Sequence, residues 1–436
     1  MAKITVDFSE RLGKIKPVNG VGQAPTHNLL THNFHYLTEA AIPYSRLHDF
    51  LIMTAHCNPL DVPGMFPDFD KDPYDPASYD FAFADVIVKG LVDAGVEPFW
   101  RLGVTFENFT AVKGYNVFPP KDFKKWAQIC EGVIRHYTEG WADGYHFNIE
   151  HWEIWNEPDN FETYPDNNAW AGTKEEYYEM YDVTAKHLKA CFPHLKVGGY
   201  SSCGFYALTE SGSNAGNCSP RHEYFIEFFD GFLDYIKERG TPLDFFSWHS
   251  YPEKLENLRT YARYARRRLD DAGYKSTTTS LNEWNTCPQL RGTARHAALC
   301  AALLLICQEE PIDTAMFYDA RMGVSIYGGM FNPMTQLPLP TYYSFMAFGE
   351  LYRLKNQCRA DYNADDGLYA AAATDGKYGA IMIVNPTEED IPLELELKTG
   401  VLDVKIIDEG RNLSPIGKRV PDVIGKNTVL LINTEI

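Results

Sequence analysis

No apolar run in this 436-residue chain is long enough to cross a bilayer. The longest, AALCAALLLIC at 297–307, has the length of a buried helix. The opening MAKITVDFSE holds nothing that could serve as the apolar part of a signal peptide. The nine cysteines include no C-x-x-C, and their odd number argues against a disulfide framework, so free thiols and a cytoplasmic location are expected. Cys300 and Cys307 lie seven apart on the buried helix, a spacing that suits packing rather than metal ligation. Positive charge is scarce. A formal net charge of −19 argues against nucleic acid or an anionic membrane as a partner. The one basic cluster, RYARRRL at 263–269, reads as the solvated face of a helix. No H-E-x-x-H occurs among thirteen histidines, and His32 and His35 in THNFH read as solvent-facing loop residues.

What is present suits a large globular core: 45% hydrophobic and 23% charged residues, with aromatics at 14%. Aromatic rings fill cores, and they also stack on the apolar faces of sugars. From about residue 15 to 350, eight strand-like runs alternate with amphipathic segments. The strand candidates are 15–22, 42–48, 96–103, 151–156, 195–200, 243–251, 276–284 and 313–319. The helical stretches are 80–94, 122–139, 174–191, 221–239, 254–272, 291–309 and 340–354. Thr173 and Glu176 have capping-box spacing, and Gly95, Gly140, Gly240 and Gly273 each follow a helical pattern. This order predicts a (β/α)₈ barrel over 12–350. A doubly wound open sheet is the alternative, but NGVGQAP after the first strand is not the G-x-G-x-x-G it would want. Short strands separated by turns from about 355, together with KITVDFSE at the start, predict an accessory β-sandwich from 1–11 plus 351–436.

In such a barrel, functional side chains project from the C-terminal ends of the strands. Those ends carry Arg46 and His48, Asn156 and Glu157, His249 and Tyr251, and Glu283. Each alone has an ordinary reading as a salt-bridge partner, core histidine or surface acid. Their convergence on one end of one barrel is what points to chemistry. The fourth strand runs into IWNEP and the seventh into SLNEWN, so two glutamates face a shared cavity. Two such carboxyl groups, one protonated and one ionised, are the minimal apparatus for cleaving a glycosidic bond. Their closeness helps to separate their pKa values.

WNEP, NEWN, PLDFFSWHSYP and VNGVG together resemble glycoside hydrolase family 39, a clan A family of β-xylosidases and α-L-iduronidases with a barrel and a β-sandwich. The resemblance covers most of the chain through a few short blocks. It implies Glu157 as general acid/base, Glu283 as nucleophile, and Asn156 as a ligand of the hydroxyl beside the anomeric carbon. It further implies that Tyr251 donates to Glu283, that His249, Arg46 and His48 line the sugar site, and that Phe106 forms an aromatic wall. One block departs. After the eighth strand the family's xylosidases carry a tryptophan and then paired glutamates, whereas this chain reads FYDARMGVSIYGG. Tyr318 is the candidate platform there, with Asp319 and Arg321 as polar contacts. An arginine in the pocket would also suit a carboxylated sugar.

The expectation is therefore a retaining exo-glycosidase acting on an oligosaccharide or small glycoside, with no metal or organic cofactor. A transglycosylase using the same glutamates, or a carbohydrate-binding barrel without turnover, are the alternatives. A homo-oligomer is compatible with the sequence, which does not set the number of subunits.

Overall fold

The computed structural model describes residues 2–26, 29–48, 58–105, 117–209 and 219–436. Phe106 lies outside the described residues. The chain opens with β1 (Ala2–Lys14), which belongs to the accessory domain. Eight parallel strands then close into a barrel: β2 (Gly20–Gly22), β3 (Tyr44–Leu47), β4 (Glu97–Leu102), β5 (His151–Ile154), β6 (Lys196–Ser202), β7 (Phe245–Ser250), β8 (Thr278–Trp284) and β9 (Thr314–Phe317). Closure comes from β9 pairing back onto β2, which removes the open-sheet alternative. Seven of the eight strand candidates contain one of these strands, and the candidate at 195–200 overlaps β6, which runs on to Ser202.

Period-two alternation sorts each strand between barrel interior and helical shell. On β5, Trp152 and Ile154 join the main apolar core, while Glu153 between them bonds to residues of β3, β6 and β8 across the barrel. The shell includes helices Ala82–Asp93, Phe123–Glu139, Lys174–Cys191, Pro220–Arg239, Leu255–Ala272, Ala294–Glu309 and Pro340–Leu354. Thr173 and Glu176 make the reciprocal bonds of a capping box. Gly140 and Gly240 end their helices at φ 74° and 62°, a conformation costly for any side chain bearing a Cβ. The basic run at 263–269 is a paired helix face: Arg263 with Glu310, Arg266 with Asp270 and Arg268 with Asp230. Among the described residues no helix is long and apolar enough to cross a membrane, and the seven described cysteines are free thiols.

The accessory domain joins β1 to β10 (Asn356–Asp361), β11 (Tyr369–Thr374), β12 (Tyr378–Asn385), β13 (Ile391–Leu397), β14 (Gly400–Asp408), β15 (Arg411–Gly417), β16 (Val423–Ile424) and β17 (Thr428–Glu435). They form one mixed sheet, ordered β15-β14-β17-β12-β11-β10-β1-β13-β16. One face has a core of its own, including Ile4, Val6, Ile381, Ile383 and Ile432. The other, with Ala371, Met382, Val384 and Leu431, continues into the barrel's core.

Candidate active site

The barrel interior is layered. Phe99, Phe245 and Met316, with Tyr44 against them, close its N-terminal end. Above them lies a buried polar layer organised by Arg46 of β3. Its Nε donates to Glu153 (2.9 Å), Nη1 to Glu283 (3.1 Å), and Nη2 to Asn156 (2.6 Å) and to Ser201 (2.8 Å). Ser201 Oγ in turn donates to Glu153 at 2.5 Å, and the Asn282 amide donates to the same carboxylate. Burial alone would raise the pKa of Glu153, but Arg46, Ser201 and Ser247 outweigh it and hold the group below the usual carboxylate range. A fully buried pair of this kind does little for stability against an apolar replacement, yet losing one partner strands a charge. Its evident effect is positional, because one planar guanidinium fixes Asn156 and Glu283 together.

The next layer carries the paired glutamates. β5 ends at Ile154, and the chain turns out of the barrel with Trp155 at φ 73° and Glu157 at φ 46°. Left-handed backbone is uncommon for residues other than glycine and collects at functional sites. It is held by bonds from Trp155 N–H to Leu102 O (2.8 Å) and from Glu157 N–H to Ser201 O (3.1 Å). Buried Asn167 ties down the following loop, donating to Pro158 O and Phe161 O and accepting from the N–H groups of Ala169 and Trp170. On the facing wall, register shifts between β7 and β8 and between β8 and β9 set His249 beside Glu283.

His249 sits between the two acids. Its Nδ1 is 2.7 Å from Glu157 Oε1, and its Nε2 is 3.5 Å from Glu283 Oε2. The Tyr251 hydroxyl donates to Glu283 Oε1. One carboxylate oxygen of Glu157 and one of Glu283 lie within 4.8 Å of each other. Burial first, then the charge of Glu157, push Glu283 up to about 7, against the opposing pull of His249, Arg46 and Tyr251. Glu157, Glu283, Tyr251 and Tyr318 line a cavity of about 450 Å³ that ends on the Arg46 layer.

The structure thus gathers Arg46, Asn156, Glu157, His249, Tyr251 and Glu283. His48 is buried directly after β3. Tyr318 lines the cavity, its hydroxyl accepting from Gln23 (3.1 Å) and Arg321 (3.3 Å). Asp319 and Arg321 form an ion pair with each other at 2.7 Å, and neither lines the cavity. The charge at 321 is therefore already matched by Asp319.

Sequence reasoning passed over Glu153, Ser201, Asn282 and Asp159. Asp159 is fully buried, accepts from Ser202 Oγ (2.8 Å) and Cys203 N–H (3.1 Å), and is pushed up to about 7 by burial and then by Glu157. An acid inside the apolar HWEIW run was the available signal for Glu153. Two groups of described residues have donor atoms close enough for a cation: Glu157, His249 and Glu283, and on the outer helices Glu131, His187 and Cys191. In each an arginine already pairs with one of the acids, Arg46 with Glu283 and Arg135 with Glu131.

A closed (β/α)₈ barrel whose strand ends present two glutamates to one cavity has the build of a glycoside hydrolase. The chain belongs to family 39 of the glycosyl hydrolases, whose family model matches residues 2–304. A β-xylosidase of Geobacillus stearothermophilus is 25% identical over 330 residues, covering 67% of this chain and 60% of that protein. One from Caldicellulosiruptor saccharolyticus is 26% identical over 269 residues, covering 58% of this chain and 47% of that protein. The chain thus matches only part of the length of these relatives. Among solved structures, a glucosidase from Croceicoccus marinus has a TM-score of 0.81 at 23% identity, covering 100% of this chain and 99% of that one. A family 39 β-xylosidase from Caulobacter crescentus has a TM-score of 0.68 at 19% identity, with both chains covered at 100%. These structural likenesses speak for the fold.

Proposed function

We propose that the chain is a retaining exo-glycosidase of β-xylosidase-like type working by double displacement. The observation that carries this reading is the approach of the Glu157 and Glu283 carboxylates to within 4.8 Å. Retaining enzymes hold such groups about 5–5.5 Å apart, whereas inverting ones leave room for a water, at about 6.5–9.5 Å. Glu283 attacks the anomeric carbon as the bond to the leaving oxygen breaks and Glu157 supplies that oxygen's proton. Glu157 then takes a proton from water, which attacks the same carbon and frees the Glu283 carboxylate. In this reading Asn156, which accepts from Arg46, bonds the hydroxyl next to the reacting carbon.

A panel of nitrophenyl pentosides, hexosides and uronides tests the reading. Turnover of one glycone with retained configuration by NMR is expected. Sugar binding without turnover of any glycone would favour the binding-barrel alternative.

Because Glu283 reacts as the anion, kcat/KM on the preferred substrate should fall along an acid limb below about pH 7. Tyr251 stabilises that anion by donating to it. Tyr251→Phe should therefore raise the Glu283 pKa and move the acid limb to higher pH. A loss of about tenfold at pH 6 and much less at pH 8 is expected. An equal loss at both pH values would assign Tyr251 to the sugar instead.

A further inference from the structure

The cavity wall that carries Glu157 also carries a cation. Arg221, the second residue of helix Pro220–Arg239, lines the cavity. Its Nε donates to Asn160 O at 2.7 Å, and Nη2 donates to the Asn160 side chain. The guanidinium carbon stands 4.4 Å from the Phe161 ring centre and 5.2 Å from that of Phe225. Asn160 N–H in turn bonds Glu157 O at 3.1 Å, so Arg221 is tied to the turn holding the general acid. A general acid stands beside the departing oxygen, so a residue tied to its turn is set toward the leaving-group side.

Arg46, Arg101 and Arg321 are each paired with a carboxylate: Glu153, Asp61 and Asp319. Arg221 has no carboxylate partner among the described residues, and its Nη1 has no protein acceptor among them. In a chain of net charge −19, this cation is fixed by two bonds and two rings, yet no anion among the described residues answers it. We infer that the leaving-group side of this cavity takes a glycoside whose departing portion bears a carboxylate, and that Arg221 is its anchor. Arginine's planar fork suits a carboxylate. Among the described residues no other lysine or arginine lines the cavity, while Glu157, Glu253 and Glu283 do, so a single negative charge fits better than a phosphate dianion. This inference rests on the glycosidase reading above.

The test uses two aryl glycosides of the preferred sugar, one releasing 4-hydroxybenzoate and the other its methyl ester. Wild type should favour the carboxylated substrate by about tenfold in kcat/KM, mainly through KM. High salt should narrow the preference. Arg221→Met should abolish it while leaving the ester's KM little changed, and Arg221→Lys should keep part of it. Equal handling of the two substrates by wild type overturns the inference and leaves the glycosidase reading standing. So does an equal loss on both in Arg221→Met, the signature of an arginine that only braces the Asn160 loop. Turnover of neither substrate overturns both.

Discussion

Glu283→Gln should lose at least about 10⁴-fold in kcat and yet unfold at a higher temperature than the parent protein at pH 8. The first half follows from the proposed chemistry, since an amide cannot form the covalent intermediate. The second follows from burial. The folded-state pKa of Glu283 is raised from 4.5 to about 7, with removal from water as the largest cause. A carboxyl group with a raised folded pKa binds its proton more tightly in the folded chain than in the unfolded one. Its favourable contribution is complete below about pH 4.5, fades as pH rises, and is gone above about pH 7. The ionised group then costs on the order of 3 kcal/mol relative to a neutral one. Glutamine has the same shape and carries no charge; its single oxygen can accept from Arg46 while its NH2 donates to the Tyr251 hydroxyl. Arg46 keeps its pairing with Glu153. Melting curves of both proteins at pH 4.5 and pH 8 check the sign: the difference should be large at pH 8 and small at pH 4.5. A variant that melts earlier than the parent at pH 8 would mean that the attraction of Arg46 and His249 exceeds the cost of burial.

That combination explains why some parts of the site were legible in the sequence and others were not. Asn156, Glu157, His249 and Glu283 interrupt or end apolar runs, and their convergence on one end of one barrel is what set them apart. Glu153 is as buried and as polar, but it sits inside its strand. There the period-two pattern says only that it faces the interior, and not that Arg46 and Asn282 come from other strands to meet it. Asn167 and Asp159 shape the Glu157 loop through bonds to backbone groups that no spacing rule encodes. Arg221 lies in the first turn of a helix, where an arginine attracts no notice until the fold sets it beside Asn160. Asp319 and Arg321 are the converse case. Two residues apart in a loop, they read as separate sugar contacts, and the fold pairs them with each other. For the accessory domain, alternation foretold short strands with buried faces, but pairing order is long-range: β1 lies between β10 and β13, which follow it by more than three hundred residues.

Glu157→Ala should separate the two chemical steps. With an activated leaving group such as dinitrophenolate, departure needs no proton, so formation of the glycosyl-enzyme stays fast and its hydrolysis becomes limiting. With phenyl or alkyl leaving groups the missing proton should cost about 10²–10⁴-fold in kcat/KM. Azide, small, anionic and nucleophilic without a general base, can enter the space vacated by the side chain and attack the intermediate. It should restore turnover of the activated substrate and yield a glycosyl azide of retained configuration, because two displacements at one carbon cancel. NMR of the azide product decides the matter: an inverted azide would mean that no covalent bond to Glu283 had formed. The same variant carries a second signature. The charge of Glu157 is among the causes holding the Glu283 pKa up. Its removal should lower that pKa and move the acid limb for activated substrates to lower pH, opposite to the shift expected for Tyr251→Phe. Opposed shifts from two residues that touch the same carboxyl system, one as a like charge and one as a donor, are what paired titration requires and what general loss of structure could not mimic.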